Sequence, residues 1–437
     1  MNLHNAEQLL QTSLADPNAK FRHGQWEAID ALVNQRQKLL IVQRTGWGKS
    51  AVYFISTKIF RDQGKGPTLI ISPLLSLMRN QIDAAKRLGL NAVRWDSTNK
   101  NEQPEIIEKL KQNTIDVLFI HPKQFSNQEF LGNVLTQVSD NIGLMVVDEA
   151  HCISDWGHDF IPEYRLITNI LKQLPANTGV LGTTATANDR VVQDIQEQLG
   201  NVQIQRGPLI RKSLGLQTLL LPDQASRLAW LAQVIPTLPG TGIIYTLTTY
   251  DAEQVANWLI QNNIDAKAYH SNIQCEDFDN SNNYRQHLEE LLLKNQLKVL
   301  VATTALGMGY DKPDLSFVIH YQAPASVVAY YQQVGRAGRG IDYAVGILMS
   351  GNEDKDIHQY FRESAFLSEV QINEILNVLA QYDGLSIRDI EAKTNLSHGD
   401  IEKILKFLSV ENPSPILKLS GKWHRTAILY STSVRST

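Results

Sequence analysis

The chain holds only two cysteines, Cys152 and Cys275, in 437 residues. Two cysteines cannot build a four-Cys zinc site, and a disulfide scaffold does not suit a chain this long, so a reducing compartment, the cytoplasm, is expected. Long apolar runs are missing as well. No stretch approaches the roughly 20 residues of a membrane span, so no membrane role is expected. The first ten residues include Asn, His, Glu and Gln and lack the profile of a signal or transit peptide. Positive charge is not in excess: the formal net charge is −4. Any nucleic-acid surface must therefore be a local groove rather than a global field. Short repeats and low-complexity tracts are absent. What remains is ordinary globular composition, 43% hydrophobic and 20% charged, at a length that suggests about three domains.

From about residue 36 to 205, short β-rich runs (38–42, 68–72, 117–121, 144–148, 179–183) alternate with amphipathic segments such as 76–88 and 103–112. Apolar strands alternating with helices predict a parallel sheet covered on both faces. The pattern restarts at 241–245, 266–270, 299–303, 316–320 and 344–349, with a boundary near 206–216. Residues 275–284, rich in Asp, Asn and Ser, read as an exposed loop. After about 355 the strands stop. Helices are expected at 372–381, 386–394 and 398–408, followed by a hairpin of 416–419 and 422–426 about Ser420-Gly421. That order suggests a winged helix, with Trp423 and His424 in the wing and basic residues outnumbering acidic ones near the end. The boundaries are set at 1–205, 206–354 and 355–437. Trp230, Trp258, Tyr330 and Tyr331 read as packing residues, and His270 and His320 as satisfied interior histidines.

Residues 146–160 carry the densest chemistry. Asp148-Glu149 closes an apolar strand, and Trp156, His158 and Phe160 follow in what reads as a polar loop. Exposed aromatics gain by stacking on nucleic-acid bases. Upstream, Gln43-Arg44-Thr45-Gly46-Trp47-Gly48-Lys49-Ser50 follows an apolar strand and precedes a helix. Glycines let backbone N–H groups curl around phosphates at a helix N-terminus. In that arrangement Lys49 reaches the β/γ-phosphates and Ser50 binds Mg²⁺. Asp148 suits the same Mg²⁺, while Glu149 suits orienting or deprotonating the attacking water. Gln332-Gln333-Val334-Gly335-Arg336-Ala337-Gly338-Arg339 offers two arginines expected on one helical face, able to enter a γ-phosphate site from the second α/β unit.

These residues resemble the RecQ family of superfamily 2 DNA helicases, over about residues 15–350. Phe21-Arg22-His23-Gly24-Gln25 is similar to the family's motif 0, in which the Gln reads adenine, and residues 43–50 to motif I. Residues 72–78 resemble motif Ia, 148–151 motif II, and Thr184-Ala185-Thr186 motif III. Ala268-Tyr269-His270 precedes 302–311, which resembles motif V, and 332–339 resembles motif VI. Trp156, His158, Phe160 and Tyr164 fall in the family's aromatic-rich loop, which couples single-stranded DNA to ATP hydrolysis.

The resemblance implies two tandem RecA-like parallel-sheet domains followed by a small helical or winged-helix domain. It implies ATP and Mg²⁺ as cofactors without zinc. Nucleotide contacts are implied for Arg22, Gln25, Thr45, Gly46, Gly48, Lys49, Ser50 and Gln332, and DNA contacts for Trp156, His158, Phe160, Ser76, Thr303 and Trp423. The activity it implies is 3′→5′ unwinding of DNA, with single strands and fork or junction duplexes as substrate. A single-strand-binding protein or repair factors would be the protein partners.

The sequence departs from the family at Trp47, where Gly is usual, at Arg44, where Pro is common, and at Ile161, often Arg, for which Arg165 is a substitute. The four-Cys region after motif VI is missing and no helicase-and-RNase-D domain fits, as in a divergent bacterial branch, a minimal variant or a truncated chain. Two other readings stand beside the helicase: an ATP-driven translocase or RNA remodeller without productive unwinding, and a non-catalytic DNA-binding scaffold.

Overall fold

The computed structural model describes residues 1–73, 75–96, 99–154, 161–307, 310–351, 354, 357, 359, 369–411, 413–428 and 430; the side chains of 75–77, 79, 80 and 128 are not among them. The described chain forms two compact units. The larger contains two parallel sheets. The smaller comprises Ile161–Ile167 together with the C-terminal helices and hairpin.

The first sheet is built from β1 (Leu39–Val42), β2 (Thr68–Ile71), β3 (Ala92–Trp95), β4 (Val117–Ile120), β5 (Leu144–Val147), β6 (Gly179–Thr184) and β7 (Gln203–Arg206). They lie in the order β3-β4-β2-β5-β6-β1-β7, every pair parallel. β1, β2, β4 and β5 are buried throughout, as strands covered on both faces must be, which is why they read as unbroken apolar runs. Two members were not expected. β3 is four residues long with Arg94 inside it, too short to show a period. β7 is a polar, largely exposed edge strand (Gln-Ile-Gln-Arg) held by its ladder to β1.

The second sheet contains β8 (Leu214–Leu220), β9 (Gly242–Tyr245), β10 (Ala266–Tyr269), β11 (Val299–Ala302), β12 (Phe317–His320) and β13 (Ala344–Ser350), ordered β10-β11-β9-β12-β13-β8 and again all parallel. β8 starts inside the segment read as a boundary and pairs with β13 along its whole length. The Asn-rich loop is shorter than expected, because the Asn280 side chain accepts N–H bonds from Asn282 and Asn283 and starts a helix at Ser281. Trp230 and Trp258 pack against this domain's core. His320 is fully buried and bonds Gln333 at 2.9 Å; burial pushes its imidazole down to about 4, so it is neutral near pH 7. His270 bonds Glu253 at 2.8 Å. The Tyr330 ring lies against His320, and the Tyr331 hydroxyl donates to the Leu209 carbonyl.

In the smaller unit, helices Glu369–Gln381, Ile387–Glu391 and His398–Ser409 precede the antiparallel β14 (Ile416–Leu419) and β15 (Lys422–Arg425). Leu385 bridges Trp423 as a third extended segment, giving the helix–helix–helix–hairpin order of a winged helix. Ser386 and Asp389 form a reciprocal cap. Ile375, Ile404, Leu405 and Leu408 fill the centre. Leu405→Ala is expected to destabilise this unit by about 2–5 kcal/mol, because the cavity adds to the lost burial; denaturant unfolding of the variant checks it. Among the described residues, no helix is long and apolar enough to cross a membrane.

Candidate nucleotide and nucleic-acid site

The C-terminal ends of the first sheet's strands converge on one place. β1 ends at Val42, and the loop that follows turns through Gly46 (φ +72°) and Gly48 (φ +97°), a region that favours glycine. The helix Lys49–Asp62 then begins at Lys49, with first-turn N–H groups that have no partner inside the helix. The Lys49 ammonium donates to the Gln43 carbonyl at 3.1 Å. Burial lowers its pKa, and Glu149 and Asp148 oppose that shift, so both carboxylates lie within electrostatic reach of the amine. Ser50 shares a side-chain hydrogen bond with Tyr53.

Asp148 and Glu149 sit in the turn after β5. Asp148 is 4% exposed; its Oδ1 accepts from the Thr183 hydroxyl at 2.6 Å and its Oδ2 from Gln81 Nε2 at 3.4 Å. Glu149 adopts a left-handed backbone (φ +49°) just after the strand ends. His151 Nδ1 lies 2.9 Å from the Thr184 hydroxyl and 3.3 Å from Glu149. Thr184 also bonds Thr186. The segments resembling motifs II and III are thereby joined through side chains.

Residues 21–25 meet the P-loop on its backbone. Gln25 Nε2 donates to the carbonyls of Trp47 (2.9 Å) and Gly48 (3.3 Å), and its Oε1 accepts the Arg22 N–H. The Arg22 guanidinium donates to the Gly46 carbonyl. Trp47 explains its own departure from the family pattern. Its ring is buried in the first domain's core, and its indole N–H donates to the His23 carbonyl at 3.2 Å, pinning motif 0 to the P-loop. Trp47→Gly is expected to cost roughly 3–5 kcal/mol, as for other large-to-small aromatic truncations, read as a lowered melting temperature.

The second sheet's domain supplies the other side, with one correction. Arg336 and Arg339 do not share a helical face, because the helix Val327–Val334 ends at Gly335; Gly338 (φ +69°) continues a turn. The two side chains nevertheless both reach the 307–311 segment. Arg336 is 5% exposed and donates to the carbonyls of Tyr310 (3.0 Å) and Gly307 (2.6 Å) within its own domain. Arg339 pairs with Asp311 at 2.7 Å, and its stem lies so close to the P-loop that a methyl group on Gly46 would stand 3.3 Å from its Cγ and Cδ. The Thr45 hydroxyl donates to the Gly335 carbonyl at 3.0 Å. Gln332 is buried, and its Nε2 has no partner among the described residues.

Sequence reasoning missed Arg211. It lies in the segment between β7 and β8 and donates to the carbonyls of Gly335 (2.8 Å), Ala337 (2.5 Å) and Thr45 (2.6 Å). No motif marks it, because its acceptors are main-chain oxygens.

The expected DNA contacts are less well gathered. Trp156, His158 and Phe160 lie outside the described residues. Ser76 falls in the helix Leu75–Arg87. Thr303, at the end of β11, is 8% exposed, and its hydroxyl accepts the Ala305 N–H. Tyr164 is fully buried, and Arg165 is 3.4 Å from Glu411. Trp423 is corrected: at 8% exposure it belongs to the smaller unit's core, with Lys418 over its ring. Period-2 alternation along β15 turns it inward while Lys422 faces out.

Residues 22–195 match the model of the DEAD/DEAH box helicase family, and residues 226–340 match that of the helicase conserved C-terminal domain. ATP-dependent DNA helicase RecQ of Bacillus subtilis is 32% identical over 87% of this chain and 62% of its own length. Probable ATP-dependent DNA helicase RecS of the same organism is 30% identical over 85% of this chain and 73% of its own. The chain belongs to the RecQ family of superfamily 2 helicases. Against three of the RecQ-family relatives it matches, it spans 62%, 34% and 56% of their lengths. The fold is also that of Mycobacterium smegmatis helicase Lhr (TM-score 0.62, 18% identity, 97% of this chain and 60% of that one) and of Saccharomyces cerevisiae Dbp5 (0.63, 19%, 82% and 92%). Two tandem RecA-like domains are therefore the frame in which this RecQ-family site is built.

Proposed function

We propose that this chain is an ATP-dependent DNA helicase that closes its two RecA-like domains over ATP and moves 3′→5′ along single-stranded DNA into a fork or junction duplex. The observation that carries the reading is the meeting of Lys49, Asp148, Glu149 and Arg339 around one loop, with Arg339 contributed by the second domain. A scaffold that merely bound DNA would not need a cation from one domain laid against a P-loop of the other. The domain limits proposed with it are 1–205, 206–354 and 355–437. A cytoplasmic location and single-strand-binding or repair partners belong to the same proposal.

The residues fit a nucleoside triphosphate with Mg²⁺. Two left-handed glycines open the loop for phosphate oxygens, and Lys49 presents an ammonium beside two carboxylates. Bound Mg²⁺, for which Ser50 and Asp148 are the proposed ligands, would neutralise phosphate charge. Thr45, Gly46 and Gly48 would bind phosphate through main-chain N–H groups, and Lys49 would fix the β/γ end. Glu149 would orient the attacking water and take its proton. Arg339 would stabilise the charge that develops on the γ-phosphoryl oxygens, with Arg336 shaping the turn that presents it. Arg22, Gln25 and Gln332 would hold the nucleotide's other end. No residue set proposed here calls for zinc.

Comparing DNA with RNA as stimulants of ATP hydrolysis tests the substrate class. DNA is expected to raise the rate well above the basal value. Stimulation by RNA alone would replace the DNA helicase with an RNA remodeller. Ile161→Arg is expected to raise DNA stimulation further by restoring the residue common in the family; an unchanged or lower DNA-stimulated rate would count against that coupling role.

A further inference from the structure

Beside the nucleotide site, a further side chain ties the two RecA-like domains together. The segment joining β7 to β8 is short, and Arg211 on it contacts both domains. One guanidinium nitrogen, Nη1, donates to the Gly335 and Ala337 carbonyls of the second domain. The other, Nη2, donates to the carbonyl of Thr45 in the P-loop and lies 3.3 Å from that residue's hydroxyl. A planar fork with fixed donors suits a bridge of this kind, whereas a lysine offers one point charge. The same Gly335 carbonyl also accepts from the Thr45 hydroxyl and, at 3.4 Å, from Arg339 Nε. Arg211 thus grips the turn from which Arg339 projects.

We infer that Arg211 is a positioning residue for ATP hydrolysis: it clasps the 335–339 turn to the P-loop and so sets where Arg339 stands when the site closes. This inference rests on the ATPase reading above. Burial, followed by the nearby charges of Arg339 and Arg44, lowers the Arg211 guanidinium to about 10. Even so it stays charged near neutral pH, so its bonds are charge-assisted. A side chain that only packed the linker would need none of these three carbonyls.

The test is a double-mutant cycle of Arg211→Ala, Arg339→Ala and the pair, in the full chain, reading DNA-stimulated kcat, KM for ATP, affinity for ADP and melting temperature. Misplacing a catalytic group by about 1 Å costs roughly 100-fold, and Arg211→Ala is expected to lower kcat by that order while ADP affinity holds. The double variant is expected to be no slower than Arg339→Ala alone. Arg211→Lys, which keeps the charge and serves if the alanine variant folds poorly, is expected to remain slow. Wild-type kcat in either Arg211 variant overturns the inference, as does a double variant whose defect is the product of the single ones. If the unaltered chain hydrolyses no ATP, the proposed function itself fails and this inference falls with it. An active wild type with an indifferent Arg211→Ala defeats the inference alone.

Discussion

Arg339→Ala is expected to lower DNA-stimulated ATP hydrolysis on the order of 10³-fold or more, the scale of an arginine finger. Arg339 is the residue of the second domain whose stem packs on Gly46. Burial lowers its pKa, and Asp311 counters that shift. Its present partner, Asp311, is 60% exposed, whereas the Arg339 side chain is 14% exposed. A phosphate in the site would offer the buried guanidinium a second anionic partner. The expected signature is a loss of kcat with nearly unchanged affinity for ADP, which lacks the γ-phosphate. Phosphate release at saturating single-stranded DNA measures it. A variant within a few-fold of wild type would remove Arg339 from the active site.

Lys49→Ala is the second large effect, with hydrolysis expected to fall roughly 10²–10³-fold at least, as when a preorganised donor to developing charge is removed. The amine lies at the first residue of its helix, donates to the Gln43 carbonyl, and has Asp148 and Glu149 within electrostatic reach. Its loss leaves the fold's apolar cores intact, so the variant should melt near wild type and still bind single-stranded DNA. Glu149→Gln should lose hydrolysis while keeping ATP, since the amide can hold a water but not take its proton. Hydrolysis at the wild-type rate in either variant would break the site assignment.

The sequence was most legible where chemistry constrains residue type. A P-loop needs glycines at Gly46 and Gly48 and a cation at Lys49. A carboxylate at the end of a buried strand, as Asp148 follows Leu144–Val147, has few other reasons to be there. The central strands were legible because double-sided burial leaves runs such as Leu-Leu-Ile-Val in β1. A polar edge strand carries no such mark: β7 is Gln-Ile-Gln-Arg and largely exposed. The arginines of motif VI read as helical from their spacing, yet the helix ends at Gly335 and both lie in the turn that follows. Trp423 sits between Lys422 and His424, which made it look exposed, but strand alternation turns it into the core. Arg211 left no signal because main-chain carbonyls accept it, and every sequence has those.

The central claim is that ATP hydrolysis at this site drives strand separation. It is tested most directly by displacement of a labelled strand from forked duplexes bearing a 3′ or a 5′ tail, with ATP and Mg²⁺, beside the Lys49→Ala chain. The account predicts displacement from the 3′-tailed fork that requires ATP and vanishes in the variant. Displacement that persists without ATP or in Lys49→Ala would contradict it, as would an active DNA-stimulated ATPase that separates neither fork.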